Sequence, residues 1–263
     1  MLNENQYASS DRYQARLYLN TRFKTNPNSK FRWIFDCFPK REGLNVLELG
    51  CGTGLFWLAN RNAIPESWSI TLSDYSGGML EKTRDTLKAV NREFGYEVVD
   101  AEDIKYDDRV FDIVLANNML YHIENRPKAI MSIHRILKDD GVFVASTMGK
   151  NEMMELNRHL YDFLRTRNKD FKFSELPFSL DNGLEQLKTC FANVDIFRYE
   201  DTLKIDEVDP VVSYYLSFNG MYNDYVILEE KDAEAFKSYL RNVMDSEKVI
   251  SVTKESGVFV CTG

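Results

Sequence analysis

The chain has 263 residues, 44% of them hydrophobic, which is enough for one sizeable α/β core. Its formal net charge of −8 disfavours nucleic acid as the principal partner, because phosphate neutralisation needs a concentrated basic surface. No apolar run reaches the about eighteen residues of a membrane span, the four cysteines Cys37, Cys51, Cys190 and Cys261 show no C-x-x-C pairing, and the first residues lack a signal peptide's apolar stretch, so the expectation is a soluble, reduced, cytoplasmic protein without a zinc or disulfide framework.

Residues 7 to 24 mix aromatic and basic side chains, among them Tyr7, Tyr13, Arg16, Leu17, Tyr18, Arg22 and Phe23, and read as one helix. A second helix follows the cap Pro27-Asn28-Ser29, with Phe31, Ile34, Phe35 and Phe38 at i, i+3, i+4 and i+7 as a core stripe. The first forty residues carry seven Lys or Arg against Glu4, Asp11 and Asp36, a net of +4, which leaves −12 for the rest. Because the Phe31–Phe38 stripe packs on the sheet, removal of residues 1 to 24 is expected to spare the fold.

Residues 45 to 54 read as a buried strand, Asn45 to Leu49, running into a turn rich in glycine at Gly50, Gly52 and Gly54, with helical residues 55 to 60 behind it. Such a turn lets the backbone approach a nucleotide-like cofactor closely and opens onto outward-facing helix N–H groups. The dinucleotide fingerprint G-x-G-x-x-G fails here, since Leu55 stands where the third glycine is needed. A second strand, Ser69 to Ser73, ends at Asp74, where a carboxylate would hold a ribose diol by two hydrogen bonds. Tyr96 to Val99 is a third strand and leads into Asp100-Ala101-Glu102-Asp103. Phe111 to Ala116 is a fourth, followed by the turn Asn117 to His122 at the carboxyl end where open sheets bind ligands. Asn125-Arg126-Pro127 starts a helix, and Gly141 to Thr147 returns as a fifth strand. Beyond it, Met153, Leu156, Leu160, Phe163 and Leu164 recur at helical spacing, with Met154 and Tyr161 at the flank, and Asp170 to Pro177 is aromatic and mixed in charge. Asp181 to Phe191 reads as a helix, Val194 to Glu200 as a sixth strand, Pro210 to Phe218 and Ala233 to Met244 as two more helices, and Gly257 to Thr262 as the terminal strand.

The nonamer Val46-Leu47-Glu48-Leu49-Gly50-Cys51-Gly52-Thr53-Gly54 resembles motif I of the class I S-adenosylmethionine-dependent methyltransferases. The resemblance covers residues 42 to 148 well and implies an α/β, Rossmann-like seven-stranded methyltransferase sheet with helices on both faces and the last strand antiparallel. It also implies a single domain: an N-terminal helical lid over residues 1–40, a cofactor-binding core over 42–148, and substrate-covering helices with the terminal strands over 149–263. The implied cofactor is S-adenosylmethionine, with Glu48 among its binding residues as the acid of the motif, Gly50, Cys51, Gly52 and Gly54 around its methionine, Asp74 on the ribose, Tyr75 and Met79 flanking adenine, Asp100, Ala101 and Glu102 at the adenine edge, and Asn117 at the strand-four turn. Arg22, or Arg16, would meet the methionine carboxylate.

The implied activity is methyl transfer to a small-molecule O, N or C nucleophile in a closed, water-excluded site, with neither nucleic acid nor membrane as partner. The strand-four turn lacks both the Asn/Asp-Pro-Pro-aromatic signature of base-amine methylation and the carboxylate of the metal-dependent catechol type, so no metal is expected. His122, the titratable side chain of that turn whose ordinary pKa lies near neutrality, is the candidate base, with Tyr121 beside it. A non-catalytic S-adenosylmethionine-binding regulator and an NAD-dependent oxidoreductase are the alternatives.

Overall fold

The computed structural model describes residues 10–169, 175–220, 226–244 and 248–263, so Tyr7 and most of Asp170 to Pro177 lie outside the described residues. The chain forms two compact units from interleaved segments: a sheet unit of Asn28–Lys150, Leu176–Tyr199 and Ser256–Gly263, and a second unit of Met1–Pro27, Asn151–Glu175 and Glu200–Glu255. This differs from the three consecutive segments that the sequence suggests. The reason is that the second unit closes a hydrophobic core of its own.

The sheet has seven strands: β1 (Asn45–Leu49), β2 (Ser69–Asp74), β3 (Gly95–Val98), β4 (Phe111–Asn117), β5 (Leu137–Met148), β6 (Asn193–Ile205) and β7 (Ile250–Thr262). Their order is β3-β2-β1-β4-β5-β7-β6. β1 is parallel to β2 and β4, β2 to β3 and β4 to β5, while β7 is antiparallel to β5. The order reverses between β1 and β4, which makes their carboxyl ends the topological switch point where α/β sheets take ligands.

The central strands are buried on both faces, as parallel strands require. Val46, Ile113, Leu115 and Val144 face a core completed by Ile34, Phe35, Phe38, Phe56 and Trp57. Leu47, Leu49, Val114, Ala116 and Phe143 face the opposite one, with Ile130, Ile133 and Ile136. The stripe expected on α2 (Lys30–Asp36) therefore does pack on the sheet, and Ser29 caps that helix by accepting from the Arg32 N–H.

The fifth strand, expected to start at Gly141, begins instead at Leu137, so that glycine lies within β5. Phe111 pairs with Leu137 but Ile113 with Val142, so residues 138 to 141 bulge from the ladder. A Cβ on Gly141 would lie 2.9 Å from the Lys138 carbonyl oxygen, which is why the bulge takes glycine.

In the second unit, α1 (Ser10–Arg22), α6 (Met154–Arg165), α8 (Asp209–Leu216) and α9 (Ala233–Val243) bury Leu19, Phe23, Leu156, Leu160, Phe163, Val212, Tyr215, Phe236 and Leu240 together. β6 and β7 are longer than the sequence suggests: Leu203 and Ile205, and Ile250 and Val252, are buried at alternate positions in this same core. Leu19 and Phe23 are 0% and 3% exposed, so removing residues 1 to 24 would strip this unit's core rather than spare it. The basic excess of the N-terminus is engaged locally. Arg12 and Arg16 donate to the carbonyls of Asn219 and Ser217, Arg22 pairs with Glu207 at 3.5 Å, and Arg32 pairs with Asp36.

Candidate functional site

The turn after β1 is built from three glycines in the left-handed region, Gly50, Gly52 and Gly54 at φ +71°, +58° and +74°. Neighbours fill the space where side chains would be: a Cβ on Gly50 would sit 3.0 Å from Met119 Cβ, and one on Gly54 would sit 2.9 Å from Thr83 Cγ2. The Cys51 N–H donates to the Ser73 carbonyl at 2.8 Å, the Gly52 N–H to Asp74 Oδ2 at 3.0 Å, and Thr83 Oγ1 to the Gly52 carbonyl at 2.6 Å. The helix behind the turn, α3 (Leu55–Asn60), is short, and the Trp57 and Leu58 N–H groups both return to the Gly54 carbonyl. The outward-facing N–H groups expected there are thus partly used within the turn.

Asp74 ends β2, and its carboxylate also accepts from the Ser76 N–H at 3.0 Å through Oδ1. Burial raises its pKa, opposed by the N–H groups of Ser76, Gly52 and Tyr75. Each oxygen keeps a lone pair, so the group that fixes the turn retains capacity for a diol. Met79 is buried in α4 (Gly77–Leu87), whereas Tyr75 and Val98 stand 67% and 65% exposed at the ends of neighbouring strands. At the end of β3, Asp100 Oδ1 accepts from the Glu102 N–H at 2.8 Å, and Ala101 is buried. Glu102 Oε1 accepts from the N–H groups of Glu124 and Asn125 at 2.9 and 3.1 Å, tying this loop to the segment after the strand-four turn.

Glu48, near the end of β1, is 1% exposed, and its Oε2 accepts from the Trp57 indole N–H at 2.6 Å. Burial first, then the nearby Asp74, push its carboxyl up to about 8, with the indole N–H opposing. Cys51 is buried as well, and its thiol is pushed up by burial and by Glu48.

After β4, Asn117 Oδ1 accepts from Ser146 Oγ at 2.5 Å. Asn118 adopts φ +53°, and its N–H donates to the carbonyl and hydroxyl of Ser146. Its side-chain oxygen is buried and has no hydrogen-bond partner. Thr83 and Trp57 are the residues of this region that sequence reasoning missed, whereas Asn118 and Met119 fall within the turn it singled out but had no individual role there. Only the Asn-Asn pair carried a signal, since asparagine is the side chain that most readily tolerates a left-handed turn.

His122 and Tyr121 lie together in a single 3-10 turn, Leu120–His122, with ring centroids 4.4 Å apart. The expectation of a near-neutral pKa is corrected here: burial pushes His122 down to about 4, so the imidazole is neutral at pH 7 and a weak base. Arg22 belongs to the second unit, where its guanidinium meets Glu207 and the face of Phe23. Among the described residues no group of three His, Cys, Asp or Glu side chains could hold a metal ion, and no helix is long and apolar enough to cross a membrane.

A glycine cradle closed by Met119 and Thr83, a carboxylate at the end of β2 and an unpartnered buried carbonyl oxygen at the switch point fit a nucleoside-bearing cofactor. Comparison with known proteins agrees. Residues 47–145 match the family model described as "Methyltransferase domain". The chain is 28% identical over 148 residues to the ubiquinone/menaquinone biosynthesis C-methyltransferase UbiE of Haemophilus ducreyi, covering 56% of this chain and 54% of that protein. It thus spans about half the length of the curated relatives it matches. Among solved structures, a S-adenosylmethionine-dependent methyltransferase of Thermotoga maritima superposes with a TM-score of 0.54 at 16% identity, covering 97% of this chain and 96% of that one. A phosphoethanolamine N-methyltransferase of Haemonchus contortus, in complex with S-adenosylhomocysteine, has a TM-score of 0.52 at 17% identity, covering 89% and 52%. Residues 47–145 thus resemble a methyltransferase domain in sequence, and the chain shares the fold of these solved methyltransferases.

Proposed function

We propose that this chain transfers the methyl group of S-adenosylmethionine to a small-molecule nucleophile. The observation that carries the proposal is the three-glycine turn fixed to Asp74 at the switch point. Gly50, Cys51, Gly52 and Gly54 would receive the methionine portion, Asp74 the ribose hydroxyls, and Tyr75 and Met79 the faces of adenine. Asp100 and Ala101 would take the adenine edge, with Glu102 acting more through its hold on Glu124 and Asn125. The cofactor brings its own leaving group on a sulfonium, so the protein's task is to align the acceptor with the methyl and to exclude water.

The names of the curated relatives support a carbon nucleophile first among O, N and C. Neutral His122, with Tyr121 beside it, can accept a proton or hydrogen-bond an acceptor, but its low pKa makes it a weak general base. Action in the cytoplasm on a small metabolite, and closure of the N-terminal helix over the cofactor with Arg22 on its carboxylate, belong to the same proposal.

Hydrogen exchange with and without S-adenosylmethionine tests these assignments. Protection is expected to rise at 50–54, 74–79 and 100–102, and at 10–22 if that helix is a lid. Unchanged exchange at all four segments would refute the cofactor site, and unchanged exchange at 10–22 alone would refute the lid. Transfer of a labelled methyl to a panel of small metabolites then identifies the acceptor, and a protein that binds the cofactor without transferring it would be a regulator. Because no carboxylate stands at Asn117, turnover is expected to survive exhaustive EDTA treatment. Loss with EDTA and recovery with magnesium would overturn the metal-independent mechanism.

A further inference from the structure

We propose that the cofactor-free protein holds a proton on Glu48 and that this proton is released when S-adenosylmethionine binds, so that cofactor uptake is coupled to deprotonation of a buried acid. The inference rests on the cofactor reading above. Its basis is the setting of the carboxyl group. Glu48 is 1% exposed, at the end of a strand buried on both faces and two residues before Gly50, so it lies directly behind the glycine turn. Its side-chain hydrogen bond comes from a neutral donor, the Trp57 indole of α3, at 2.6 Å. The other titratable groups acting around it are Asp74 from the end of β2 and Cys51 from the turn itself, both acids. Among the described residues no lysine, arginine or histidine acts on it.

A buried carboxylate with acids for neighbours and no cation is unstable, and its carboxyl is pushed up to about 8. The group is therefore mainly protonated at pH 7 in the free protein. S-adenosylmethionine carries a sulfonium and an ammonium against one carboxylate, a net positive charge. Placing that charge against the glycine turn, in a medium of low dielectric, favours the ionised form of Glu48 and lowers its pKa. The free protein then binds more protons than the complex, so affinity must rise with pH in the window below about 8. The proton leaves to solvent, and no other bond is made or broken.

Calorimetric titration of the whole chain with S-adenosylmethionine at pH 7, in phosphate and in Tris, reads the coupling, because released protons ionise the two buffers with different heats. The expected result is release of close to one proton per cofactor, with affinity rising up to about tenfold per pH unit from pH 6 to 7.5. Glu48→Gln keeps an amide oxygen for Trp57 and is expected to bind with a buffer-independent heat and a flat pH profile.

Buffer-independent heat in the unmutated protein would overturn the proposal. So would proton release that survives E48Q, since the proton would then come from Asp74 or Cys51. No binding heat in any buffer would instead refute the cofactor reading itself. Should E48Q fail to fold, the Trp33→Phe, Trp68→Phe protein leaves Trp57 as the sole tryptophan. Its emission is expected to step near pH 8 without cofactor, and at lower pH with it. Absence of that step, or a step the cofactor does not move, would be fatal to the inference.

Discussion

Asp74→Ala is expected to weaken S-adenosylmethionine binding by about ten- to a hundredfold, about 1.5 to 3 kcal/mol, the scale of lost charge-assisted hydrogen bonds. Two losses combine. The carboxylate would no longer meet the ribose hydroxyls, and the Gly52 N–H would lose the acceptor that holds it at 3.0 Å. Asp74→Asn separates them, because an amide oxygen can still accept from Gly52 while only one further acceptor site remains for a diol. Asn should therefore recover part of the affinity, and both variants should keep their fold, since Asp74 is not part of either hydrophobic core of the sheet unit. Undiminished affinity by calorimetry in a folded Asp74→Ala protein would sink the ribose assignment.

Gly54→Ala should be the most damaging single-methyl change in the glycine turn. Its φ of +74° costs an alanine about 1 to 2 kcal/mol. The new Cβ would also lie 2.9 Å from Thr83 Cγ2 and 3.4 Å from Leu87 Cγ and Cδ1. Thr83 is fully buried and cannot swing aside without losing its bond to the Gly52 carbonyl, so the clash is transmitted to the cofactor turn. A total loss of about 2 to 4 kcal/mol in stability is expected, together with most of the cofactor affinity. Gly43→Ala is the matched control: its φ is +69°, but a Cβ there meets nothing within 4 Å. Urea denaturation of both proteins isolates the steric part, and equal losses would show that contact with Thr83 contributes nothing.

Much of the site was legible in the residues because its parts are local. The strand-turn-helix at Val46 to Asn60, the acid ending β2 and the helix starts at Ser29 and Asn125 each follow from neighbours within a few positions. The strand alternation of Leu203 and Ile205, and of Ile250 and Val252, was also present in the chain. It was hidden because each pair is a single alternation around one polar residue, Lys204 or Ser251, too short to stand out as a strand.

What the sequence determined by itself was therefore the α/β class, the glycine turn and the acids that follow β2 and β3, since spacing and side-chain type suffice for these. Which acid is ionised, which histidine is neutral and which segments share a core were decided only by the tertiary structure. Glu48 and His122 look like ordinary titratable residues until burial removes the water that would stabilise their charged forms. Leu19, Phe23, Leu203 and Val252 look like parts of separate elements until they are buried together. The Asn118 oxygen looks solvated until the chain turns at φ +53° against Ser146 and leaves it enclosed without a donor. In each case the deciding quantity is exclusion of water by residues distant in the chain, and that exists only once the chain has folded.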